Sequence, residues 1–143
     1  MANKIPKNKV QPPPKGVRAG ANPGDTNRET PVWSISIFDH KSEWGRERCR
    51  EGDSLWVHIF DGLKKYEQMT WGAIYGDKKR NHDCSIDGII KKARDRLKEL
   101  KLDDVDSLFR FRLSGKGRVW GIRDGRVFKL LWWDPDHEIY PSK

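Results

Sequence analysis

His137 stands between Asp136 and Glu138 and three residues before Tyr140, just past a stretch dense in cations. Histidine is the side chain best suited to proton exchange near neutral pH, and acidic neighbours favour its charged form. His137 is therefore a candidate general acid, although a lone histidine in a turn more often serves as a structural hydrogen-bonding group. The segment 109–131 carries seven cations, Arg110, Arg112, Lys116, Arg118, Arg123, Arg126 and Lys129, against one acid, Asp124. Cations alternating along adjacent strands project a lattice of charge that can hold successive phosphates of an extended RNA strand, with Trp rings as stacking planes. Charged strand edges that discourage aggregation are the competing explanation, but they need fewer charges.

Other chemistry finds less support. His82 and Cys84, with Cys49, His40 or His58, lack the regular paired spacing of a structural zinc site, so no metal or cofactor is expected. Two cysteines are too few for a disulfide scaffold and read as free thiols. No G-x-x-x-x-G-K-[ST] loop, G-x-G-x-x-G turn or nucleophile elbow occurs, which argues against nucleotide hydrolysis and acyl transfer.

A length of 143 residues suits one domain, and 29 Lys+Arg against 21 Asp+Glu give a net charge of +8 that fits a polyanionic partner such as RNA or a ribosome. No run approaches the roughly 18 apolar residues of a membrane span, and no apolar stretch follows the first residues as in a secretory signal. A cytoplasmic protein without membrane contact is the expectation. Residues 1–30 hold five of the eight prolines, no aromatic residue, and six cations against two acids. That composition cannot build a core and predicts a flexible basic arm, with residues 31–143 forming a single α+β domain.

The elements that must position these groups follow from periodicity. Val32, Trp33, Ile35, Ile37 and Phe38 alternate with serines as in a strand. Asp53 or Ser54 can cap a helix that places Leu55, Trp56, Ile59, Phe60, Leu63 and Tyr66 on one face. Met69, Trp71, Ile74 and Tyr75 make a short apolar turn, and 76–83 reads as loop. Ser85 is the expected cap of a second helix, with Ile86, Ile89, Ile90, Ala93, Leu97 and Leu100 on its apolar side. Lys91, Arg94, Lys98 and Lys101 stripe the other side, either as a solvated face or as a phosphate contact. Strands are predicted over 108–113, 118–123 and 126–133, the last two joined by an Asp124-Gly125 turn. In that register Arg123 faces Arg126, Trp120 faces Lys129 and Arg118 faces Leu131. One face of the hairpin should pack on the two helices, leaving the other as a concave, basic and aromatic surface.

The order strand, helix, helix, then a three-stranded antiparallel meander resembles the RelE/ParE superfamily of toxins from bacterial toxin–antitoxin pairs. Leu108-Phe109-Arg110-Phe111-Arg112-Leu113 is similar to the family's strand with an arginine near its end. Gly117-Arg118-Val119-Trp120 is similar to its following turn and strand, and His137 and Tyr140 stand where YoeB-related ribonucleases often finish with His and Tyr. The resemblance implies a metal-independent endoribonuclease acting on messenger RNA, often at the ribosome, and held in check by a cognate antitoxin. It implies Arg118 for transition-state charge, Arg112 and Lys129 for phosphate binding, His137 for proton transfer and Tyr140 for orienting substrate. Arg110, Lys116, Arg123, Lys91, Arg94 and Lys98 complete the expected RNA contacts, and the base is left open between His137 and Lys116. The negative charge of Asp134, Asp136 and Glu138 beside a phosphate site departs from the pattern. It keeps a second expectation in play, a non-enzymatic module of the same fold that binds nucleic acid, a ribosome or a protein.

Overall fold

The computed structural model describes residues 26–45, 55–113 and 115–141. The proline-rich segment 1–25, Cys49 and the cap candidates Asp53 and Ser54 lie outside the described residues. Strand β1 (Val32–Ser34) is followed by helices α1 (Leu55–Tyr66) and α2 (Trp71–Gly76), strand β2 (His82–Ser85), helix α3 (Lys91–Glu99), and strands β3 (Ser107–Arg112), β4 (Arg118–Asp124) and β5 (Val127–Asp134). The five strands form one sheet in the order β1-β5-β4-β3-β2, with β1 parallel to β5 and every other pair antiparallel. No helix among the described residues is long and apolar enough to cross a membrane.

Helix α1 buries Ile59, Leu63 and Tyr66, spaced four and three residues apart on one face. Thr70 caps α2 by accepting the Ala73 amide through its hydroxyl, and Trp71 and Ile74 turn inward. These residues join Phe109, Phe111, Val119, Phe128, Leu130 and Trp133 in one apolar cluster. Helix α3 contributes Ala93 and Leu97 to a second cluster with Cys84, Leu108, Trp120, Ile122, Leu131, Trp132 and Ile139. Because Leu108 and Phe109 are neighbours in one strand and belong to different clusters, the sheet is covered on both faces. The meander is present as expected, but the helices do not share one face of it, and the anticipated open basic surface is roofed by α3 and the C-terminal segment. The Ser85 hydroxyl caps the 3₁₀ turn Ile86–Gly88 rather than the helix, which starts at Lys91.

Strand β2 arises where the sequence reads as loop. Its residues His-Asp-Cys-Ser show no alternation, and its pairing with β3 rather than its own propensity holds it. Residues 26–30, expected in the arm, are docked on the sheet: Arg123 donates to Thr26 and Asn27, and Arg126 donates to Thr30.

The β4–β5 hairpin is displaced from its expected register. Asp124 pairs with Val127, so the two-residue loop is Gly125-Arg126, and Gly125 takes the positive φ of 67° that a glycine-first turn requires. A bulge between Trp120 and Gly121 then shifts the remaining pairs, setting Trp120 against Trp132 and Arg118 against Asp134. Gly121 permits it: a Cβ there would lie 2.2 Å from the Lys129 carbonyl oxygen. The bulge turns Trp132 toward the α3 face, where its indole Nε1 donates to Asp39 Oδ2 at 2.9 Å. Asp39 also accepts two hydrogen bonds from Arg96 of α3, 2.7 and 2.9 Å long. Burial pushes the Asp39 carboxyl up, but the donors from Arg96, Trp132 and the Lys41 amide outweigh it and hold the group far below its ordinary 3.8.

Two outcomes follow. Gly121→Ala should force strand backbones apart and cost on the order of 2–3 kcal/mol, read as a lower urea midpoint at unchanged slope. Because the Asp39 carboxyl is depressed in the folded chain, its contribution is complete above about pH 4 and is lost as the pH falls below that. Asp39→Asn should lower stability at pH 7 and flatten the acid limb of the stability curve, measured by denaturant titrations from pH 2 to 7; an unchanged acid limb would contradict the assignment.

Candidate functional site

On the α3 face, strand register lays side chains out in two rows. His82, Arg110, Trp120 and Trp132 lie side by side across β2, β3, β4 and β5, and Arg112, Arg118 and Asp134 form the next row. Arg112 and Arg118 are directly opposed, with Cβ atoms of such a pair about 4.5–5.5 Å apart, and Arg110 stands on the same face two residues before Arg112.

The segment after β5 folds over this patch. Asp134 is fully buried, and its two carboxylate oxygens accept the backbone N–H groups of Glu138 and Ile139, each at 2.9 Å. Ile139 is buried too, and its carbonyl accepts the Ile90 amide at the start of α3. Trp44 Nε1 donates to Glu138 Oε1. Within the turn so fixed, His137 adopts a left-handed backbone conformation with φ of 59°, one that histidine tolerates better than most residues. Its Nε2 lies 3.3 Å from Arg110 Nη1. Tyr140 packs beside Trp120 and His82, with ring centroids 6.5 and 6.3 Å away, in a slot left open by Gly88.

A guanidinium can only donate, so His137 Nε2 is the acceptor and the imidazole is neutral in this contact. Burial lowers the affinity of His137 for a proton, and the positive charges of Arg118, Arg110 and Arg112 lower it further. The acidic residues flanking His137 in the chain therefore do not govern it: Glu138 is engaged by Trp44, and the arginines lie closer in effect. In this contact His137 accepts a hydrogen bond as a neutral imidazole, rather than holding the charged form its acidic sequence neighbours favour. Arg118, 6 % exposed, is pushed down to about 10 by burial and then by Arg110 and Arg112. Its Nη1 donates to the Gly115 and Gly117 carbonyls, but its Nε and the Arg110 Nε are buried without a protein partner. Buried donors left without acceptors beside clustered positive charge are the preconditions for binding an anion.

The other expected contacts are dispersed. Arg123 lies on the opposite face, fully buried, with its guanidinium 4.3 Å from the Trp71 ring centroid and 5.2 Å from that of Tyr75. It is a packing residue and cannot reach RNA. Lys129 lies on the α3 face but toward the hairpin end, beside Asp124 at 3.6 Å. Lys91 pairs with Asp95 and Arg94 donates to the Ile89 carbonyl, and with Lys98 they border a cavity of about 300 Å³ on α3. Lys116 is exposed on the β3–β4 turn.

Sequence reasoning missed Asn81, whose carboxamide oxygen accepts the Arg112 amide, and the parts played by Asp134 and His82. The visible signal for Asp134 was a carboxylate just ahead of a proline, four and five residues before the amides it accepts. Cys84 is buried, its thiol pushed up to about 12 by that burial, and His82 Nδ1 lies 3.5 Å from its sulfur. Among the described residues no group of three or more His, Cys, Asp or Glu side chains could hold a metal ion.

If the arginines depress His137, Arg118→Met should raise its titration midpoint toward the ordinary 6.5, measured by NMR of the imidazole Cε1–H. A midpoint that stays or falls would show that burial alone sets it.

Compared with protein-family models, curated proteins and solved structures, the chain matches none of them, so its functional reading rests on this geometry.

Proposed function

We propose that the protein is a toxin-like, RNA-binding endoribonuclease of the RelE kind, cleaving messenger RNA with its own side chains as base and charge stabiliser. The observation that carries this reading is the convergence of Arg110, Arg112 and Arg118 on a neutral imidazole. The order of β1, helices α1 and α3 and the closing meander favours the RelE-like assignment, whereas α2 and β2 between the two helices are additions to that plan.

In this mechanism a phosphodiester enters over the half-exposed Arg112 and His137. His137 Nε2 takes the proton from the ribose 2′-OH, and the 2′ oxygen attacks phosphorus. Arg118 and Arg112 hold the additional negative charge that builds on the phosphoryl oxygens. The bond from phosphorus to the 5′ oxygen breaks, leaving a 2′,3′-cyclic phosphate and a 5′ hydroxyl. Arg110, which donates to the single Nε2 lone pair of His137 in the resting site, turns to the phosphate as substrate enters and frees that lone pair for the 2′-OH, and Tyr140 orients the adjoining nucleotide. A phosphate between the arginines would also offset their mutual repulsion, which links substrate binding to the state of His137.

The near-complete burial of Arg110 and Arg118, 6 % exposed each, favours a second reading in which the patch only binds RNA. Purified wild type, His137→Ala and Arg118→Ala should be incubated with RNA and with mRNA-programmed ribosomes and the new ends mapped. Cleavage by the wild type and a fall of about 10²–10⁴-fold in each variant, with RNA retained by His137→Ala, is the expected result. Salt-sensitive RNA retention with no new ends in any sample would establish the binding module instead.

A further inference from the structure

The proposed cleavage has a base but no assigned donor for the departing 5′ oxygen. His82 occupies the place where such a group is needed. It is the direct cross-strand partner of Arg110, on the same face of the sheet, and Arg110 in turn contacts His137. Tyr140 closes the circuit from the tail, its ring 6.3 Å from that of His82. Arg110 is thus flanked by two imidazoles, one from the sheet edge and one from the tail.

The hydrogen bonding of His82 fixes which of its atoms can exchange a proton. Nδ1 lies 3.0 Å from the backbone carbonyl of Asp83, which can only accept, so Nδ1 carries hydrogen. Nε2 has no hydrogen-bond partner among the described residues and is the ring atom open to a substrate. The groups facing His82 are Arg110 from β3, Cys84 from its own strand and Tyr140 from the tail, with His137 beyond Arg110. The Asp83 carboxylate points to the other face, where Tyr75 donates to it.

We propose that His82 is the second catalytic imidazole of this site, delivering a proton from Nε2 to the 5′ oxygen as the bond to phosphorus breaks. The assignment rests on the ribonuclease reading above. The balance is complete: His137 gains the 2′-OH proton, His82 loses one to the leaving oxygen, and exchange with water restores both. The substrate is a phosphodiester with a free 2′-OH, spanning the arginine patch between the two imidazoles. His82 stood out in the sequence only as an isolated metal-ligand type, because nothing in a loop-like run of polar residues showed that it would pair with Arg110.

The test compares an ordinary RNA with one carrying sulfur in place of the scissile 5′ oxygen, since a thiolate leaves without needing a proton. Wild type, His82→Gln and His137→Gln are assayed on both, with thermal midpoints measured to establish folding. His82→Gln should lose about 10²-fold on the oxygen substrate and recover to near the wild-type rate on the sulfur substrate, while His137→Gln stays slow on both. Equal loss on both substrates would make His82 a merely structural group, and no loss on either would remove it from the reaction; in both cases the ribonuclease reading survives. A folded wild type that cleaves neither substrate would overturn that reading and the role of His82 with it.

Discussion

A single extra residue in β5 sets much of what this sheet can do. Opposite Gly121 the strand takes a bulge, and from there onward its side chains exchange faces. Without it, Trp133 would stand against Arg118 and the Asp134 carboxylate would point into the cluster under α1. With it, Trp132 reaches Asp39, which binds Arg96 and so fastens α3 to the sheet. Asp134 reaches the arginine face, where it gathers the amides of the following turn and carries His137 over Arg110. The anchor of the helix and the anchor of the tail are consequences of the same irregularity.

The two buried carboxylates solve different problems. Asp39 meets a cation and an indole donor, which stabilise its ionised form strongly enough to overcome burial. Asp134 meets two backbone amides, and burial dominates, pushing its carboxyl up. Its position beside Arg118 supplies the only carboxylate in that row, so the arginine patch keeps an excess of positive charge. Like charges held close in a poorly solvated place are costly unless an anion joins them. The orphaned Nε donors of Arg110 and Arg118 express the same imbalance as hydrogen-bonding capacity that the protein itself does not use.

Arginines in strands looked equivalent in the sequence, and the structure separates them by parity. Arg110, Arg112 and Arg118 share the α3 face, whereas Arg123 is one position out of phase and becomes the cap of an aromatic stack. The local sign of His137 was misleading for a related reason. Asp136 and Glu138 are adjacent in the chain, but the electrostatics of a side chain follow the groups packed around it, and those come from β3 and β4.

The sequence reveals helix α1, most of α3 and the closing strands, because hydrophobic spacing of 3.6 or 2 residues is written locally. It also marked His137, Tyr140, Arg110, Arg112 and Arg118 as the residues with chemistry to offer. The pairing of β2, the helices on both faces and the hairpin turn at Gly125-Arg126 emerge once distant strands meet. Folding alone brings His82 and Asp134 to the arginines and sets the His137 imidazole to accept a hydrogen bond from Arg110. These outcomes depend on register and on a bulge, and register is set by contacts between strands distant in the chain, which no local pattern encodes.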